Sequence, residues 1–192
     1  MSEMQLLTWA RGTGLDLAIS IFVLGVLLRL FEIYSLGRKK DLSEPRTVSG
    51  ASGMNTVFRR SLPPAGMLKN SPIPYIGGYI FHIGLAIIVF LFAPHIKLFQ
   101  DLVGISWPGL PSQLVDFATV LTIVAMLIVL ADRIMKPVKR YLSTFQDWFT
   151  WALTFLPVLT GWMAVHHLLL PYTTMLAVHI LTVELLLVCL PF

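Results

Sequence analysis

Five histidines, His82, His95, His166, His167 and His179, are the side chains of this chain whose type and setting could do chemistry. Each lies in or beside a long apolar stretch, where an ionisable group is costly and marks a functional site by default. Neutral imidazole in such surroundings is a ligand for haem iron. The single cysteine, Cys189, also sits in an apolar run. That count excludes an intrachain disulfide and any zinc or iron-sulfur centre built on several thiolates. A redox centre in this chain therefore rests on the histidines.

His82 and His95 stand near the two ends of the run from Ile73 to Phe99. Gly78 and Ala86 flank His82 at i−4 and i+4 and clear that helical face of bulk. A flat macrocycle needs such clearance, although small residues also serve close helix packing around a hydrogen-bonded histidine. His179 lies in the last apolar stretch, as deeply set as His82 but in the opposite half of the membrane. Axial ligands of one iron share one depth, so two levels predict two haems. For the level of His179 the candidate partners are His95, His166 and His167. In an ideal helix His95 is about 20 Å beyond His82 and rotated by about 220°, and Pro94 can distort the turn between them. His166 and His167 are adjacent on the fourth stretch and point about 100° apart, so only one faces the interior. At an interface, histidine also hydrogen-bonds water or headgroups without further role. No second histidine faces His82. Lys97 is a candidate donor to a quinone carbonyl, with a headgroup contact as its alternative. Glu184, in mid-membrane, is a second candidate for a quinone site and could also hold a proton, pair with another helix or relay protons. Arg29 and Glu32 are spaced for a local ion pair.

These residues must be positioned by helices. The chain has 192 residues, 56% hydrophobic and 12% charged, with mean hydropathy +0.79, about half the charged fraction of a soluble domain. The composition predicts an all-α integral membrane protein of one domain, 1–192. Five stretches are long enough to cross a hydrocarbon core: about 14–36, 73–94, 113–134, 148–170 and 172–192. The first lacks a cleavage site and is expected to stay in the membrane. Pro157 and Gly161 predict a kink in the fourth. Arg38, Lys39, Lys40, Arg46, Arg59, Arg60 and Lys69 follow the first stretch, and Arg133, Lys136, Lys139 and Arg140 follow the third. Together they are eleven of the fourteen basic residues, which puts the N-terminus outside and the C-terminus in the cytoplasm. The cytoplasmic loop 37–72 has no hydrophobic period and is expected to be disordered or to lie on a partner. The net charge of +4 is accounted for by topology and gives no reason to invoke nucleic acid.

Two segments carry a family resemblance: FHIG at Phe81 to Gly84, followed by an apolar run, and LAVHILTVELLLVCLPF from Leu176 to Phe192. They resemble the cytochrome b (gamma) subunit of membrane-bound respiratory nitrate reductase, and related subunits of sulfite-reductase-linked and heterodisulfide-reductase-like membrane complexes. The resemblance implies two b haems, each held by histidines of the second and fifth helices. It also implies electron transfer between the quinone pool and cytoplasmic iron-sulfur and catalytic subunits, in a bacterial or archaeal cytoplasmic membrane. His82 matches the helix 2 ligand of the cytoplasm-proximal haem, and His179 the helix 5 ligand of the distal one. The family's second helix 2 ligand falls at Phe92 here, so His95 stands three residues late. The last ligand falls beyond Phe192, which predicts a continuation of the chain. The rival expectation is a haem-free membrane anchor or assembly subunit.

Overall fold

The computed structural model describes residues 2–37 and 50–192. Among them it is all helical, without a strand, and five helices are long and apolar enough to cross a membrane. The chain is thus built as a multi-pass membrane protein. Exposed side chains such as Leu24, Phe31, Leu127 and Ile128 form an apolar exterior that suits lipid.

The first span starts earlier than expected. Ser2 caps α1 (Glu3–Trp9) through a capping box with Gln5, and a π turn at Ala10–Gly14 carries the chain into α2 (Leu15–Ser35). The loop 37–72, expected to be disordered or to lie on a partner, contains two helices, α3 (Gly50–Ser61) and α4 (Ala65–Asn70). They are tied to the next span by Tyr79, whose hydroxyl donates to the Ser61 carbonyl, and by Tyr75, whose hydroxyl donates to Met67 Sδ at 2.7 Å. Arg38, Lys39, Lys40 and Arg46 lie outside the described residues.

The second span is α5 (Pro72–Leu91), and it ends three residues before the expected limit. Pro94 has no N–H for the Phe90 carbonyl, so the regular ladder cannot continue. Phe92 takes an extended backbone (φ −85°, ψ 125°) and α6 (Ala93–Val103) restarts beyond it. Carbonyls at such a break need other donors. Trp107 Nε1 donates to the Phe90 carbonyl at 2.5 Å, Leu110 N–H to that of Leu91 at 2.9 Å, and His95 Nδ1 to that of Ile88 at 2.7 Å. Gly104, at φ 76°, closes α6 in the left-handed region that glycine tolerates.

α7 (Ser112–Met135) and the short α8 (Pro137–Leu142) follow. α9 (Phe145–Val165) keeps Pro157 inside a continuous helix and stops five residues before the expected boundary. α10 (Tyr172–Cys189) completes the set. α5 packs on α7, α7 on α9, α9 on α10, and α10 on α2, giving an arc in which α5 and α10 are not extensively packed on each other. The α5–α7 seam is tight: a Cβ on Gly77 would lie 2.4 Å from Val129 Cγ2, and one on Gly84 only 1.9 Å from Thr122 Oγ1. At the other end of the arc, Pro191 Cβ would lie 2.7 Å from a Cβ on Gly25, and Arg29 Nε donates to the Pro191 carbonyl at 2.9 Å. Arg29 also makes the expected local pair with Glu32, at 2.9 Å.

Candidate functional site: a histidine pair across the open side

The break at Phe92 decides where His95 goes. Instead of continuing round α5, its ring turns to the Ile88 carbonyl seven residues earlier and packs edge-on to Phe92, 5.3 Å between centroids. There it meets His179 of α10, with centroids 6.2 Å apart and ring planes within 23°. Both rings are half-buried. His179 lies over Gly161 of α9, where a Cβ would come within 2.9 Å of Cε1, and its Nδ1 is 3.4 Å from Thr160 Oγ1. Thr160 in turn touches Thr182 Oγ1 at 3.1 Å, so α9 supplies both the room and the polar neighbour.

A carbonyl can only accept a hydrogen bond. Nδ1 of His95 therefore carries the proton, and Nε2 presents a lone pair. His82 has the same arrangement, with Nδ1 2.7 Å from the Gly78 carbonyl one turn back. Nε2 of neither ring has a protein partner among the described residues. Desolvation holds the pKa of His95 below the ordinary imidazole range, against the opposing pull of the Ile88 carbonyl, which favours the neutral, ligating form.

Two imidazoles on opposite sides of one iron, with metal–nitrogen bonds of about 2 Å, would have centroids roughly 6 Å apart. The observed pair fits that separation and spans the open side of the arc. An offset ring pair occupies the same range, so distance alone names no ligand. The fixed tautomer of His95 adds to it. Among the described residues no group of three or more His, Cys, Asp or Glu could hold a bare metal ion. Haem asks less of the protein, because the porphyrin fills the remaining positions and two imidazoles suffice.

The other predicted residues go elsewhere. His82 is exposed on the outward face of α5 beside Gly78 and Ala86, its ring edge-on to Phe81 at 4.9 Å. A Cβ on Gly78 would meet nothing within 4 Å, so that face is clear as expected; the glycines that receive α7 are Gly77 and Gly84. His166 and His167 are not in the fourth span, because α9 ends at Val165. His166 Nε2 lies 2.7 Å from Asp116 Oδ1, which also accepts from Trp162 Nε1 at 3.0 Å. His167, at φ 53°, packs on Tyr172. Neither joins His179. Lys97 pairs with Asp101 one turn along α6, in solvent, whereas Glu184 is buried against the π turn. The fold keeps these two quinone candidates apart. Sequence reasoning passed over Asp116 and Thr160. An aspartate early in an otherwise apolar span was the available signal for the first, and nothing distinguished Thr160 from other threonines.

The chain is 31% identical over 186 residues to a protein of Nitratidesulfovibrio vulgaris (strain Hildenborough), an alignment covering 94% of this chain and 82% of that relative. It belongs to the same family as that protein, whose description states no activity. No family model matches the chain. No solved structure matches it.

Proposed function

We propose that this chain is a cytochrome b-type membrane subunit that carries electrons between the quinone pool and a cytoplasmic iron-sulfur partner. The observation that carries the reading is the half-buried, near-parallel His95–His179 pair joining α6 to α10. Haem, when bound, supplies a one-electron iron couple. The chain's part is to bind and orient it. His95, locked by the Ile88 carbonyl, and His179, set over Gly161 beside Thr160, would together hold one haem. His82, its tautomer set by Gly78, would be one ligand of a second. Apolar helices exclude water from the outer pair.

In this reading the N-terminus is outside and the C-terminus cytoplasmic, because Arg59, Arg60, Lys69, Arg133, Lys136, Lys139 and Arg140 share one side. Those basic residues would face the acidic surface of the redox partner. Quinone would react near the outer pair, where Lys97 is the nearest cation in sequence.

The test is a pyridine haemochrome assay on the purified chain. About two b haems per chain are expected, with a low-spin bis-histidine electron paramagnetic resonance signal. His179→Ala and His95→Ala should each remove the same haem. Absence of Soret absorbance in a folded chain from haem-replete cells overturns the reading in favour of a haem-free anchor.

A further inference from the structure

We infer that Glu184 is a proton-binding site in the membrane interior. It lies thirteen residues into the eighteen-residue α10 and is only 7% exposed, and its Oε1 has no hydrogen-bond partner among the described residues. The carboxyl group is aimed at the π turn Ala10–Gly14. A Cβ on Gly14 would lie 2.8 Å from Oε1 and 3.0 Å from Oε2, with the Trp9 ring closing the same cleft. Two features that are independent in sequence thus coincide. One is an orphaned acid; the other is a widened helical turn, a device frequent at functional sites, whose last residue has no side chain in the way.

A carboxylate at this depth needs a counter-charge or a proton. Among the described residues no cation reaches it from the elements packed on α10. Arg29 of α2 holds Glu32 and the Pro191 carbonyl, and Arg11 of the π turn is exposed. The remaining charged groups there are acids. Glu3 accepts from Thr173, Asp16 is exposed, and Asp147 of α9 pairs with Arg133. A proton turns Glu184 into a neutral O–H donor facing backbone, which is the form the cleft can hold.

Glu184 follows His179 by five residues, about 7.5 Å along α10 and about 140° round it. The coupling rests on the haem reading: a positive charge on oxidised iron at the outer pair would favour release of the Glu184 proton, and loss of that charge on reduction would favour its return. An electron arriving at that level is then accompanied by a proton held within the protein.

The proton site itself is tested on the haem-free chain in lipid nanodiscs, so its failure is separate from failure of the haem reading. Infrared spectra at neutral pH should contain the carbonyl stretch of a protonated carboxyl, shifted in heavy water, lost in Glu184→Gln and kept in Glu184→Asp. Dicyclohexylcarbodiimide should label Glu184. The carboxyl oxygen bonds to the central carbon, the proton goes to nitrogen, and acyl migration to nitrogen gives an N-acylurea with nothing leaving. If the wild-type and Gln spectra differ only in ionised carboxylate bands, or if sodium ions protect Glu184 from the reagent, the inference is overturned.

Discussion

The two histidine levels of the α5–α6 segment share a tautomer and differ in everything else. His82 sits in unbroken helix, bonded to its own i−4 carbonyl, and looks outward from α5 with no histidine facing it among the described residues. His95 sits past a helix break, bonded to a carbonyl seven residues back, and meets a ring from the far side of the arc. A regular helix can set a side chain's tautomer but sends it along one fixed radial direction. A break redirects it, and here that is what turns a histidine thirteen residues from its neighbour into half of a tertiary pair.

The sharpest way to break this comparison is to remove the histidines in combination. His95→Ala and His179→Ala should each abolish one haem, and the double variant should lose no more than either alone. His82→Ala should remove a different spectral component. Additive losses for His95 and His179, read by haemochrome and redox titration, would show that they do not share a centre. Next in size is Gly84→Val. A branched side chain whose Cβ would lie only 1.9 Å from Thr122 Oγ1 forces α5 off α7, at a cost of about 1–3 kcal/mol, and should displace both histidine levels together. Its effect is measured by thermal unfolding in detergent, with Gly78→Val, which points into open space, close to neutral in the haem-free chain.

A smaller effect separates the levels. Trp107→Phe removes the indole donor to the Phe90 carbonyl, should cost about 1 kcal/mol, and should perturb the spectrum of the His95 centre while leaving that of His82 unchanged. Smallest is Asp132→Asn. Its buried carboxylate binds Lys136 at 2.7 Å and also Lys139, but both lysines are partly exposed, so a loss of about 1 kcal/mol is expected. Because Asp132 lies on the basic side, this variant should leave the His95–His179 pair untouched and affect docking of the proposed redox partner, read as its binding against salt.

Much of this molecule could be read along the chain. Apolar runs of membrane length demand helices because no other local structure satisfies the backbone in hydrocarbon, so five spans and their order followed from composition alone. Pro94 announced the break, and His82, His95 and His179 stood out as costly groups in apolar runs. Boundaries were harder: α9 ends before His166 and His167, and the π turn at Ala10–Gly14 has no apolar period of its own to betray it.

What one-dimensional reading could not supply was pairing. That His95 rather than His166 or His167 faces His179 depends on how three freed carbonyls at Ile88, Phe90 and Leu91 find donors in distant residues. That Gly77 and Gly84 receive α7, while Gly78 stays open, depends on which face of α5 is turned to its neighbour. The long, deep apolar segments were determined by the sequence itself, because burial in lipid is a property of each residue summed along the run. Only the tertiary structure decided that Glu184 lies against the π turn and His95 against His179, because contacts between helices depend on rotation and register, which apolar content leaves undetermined.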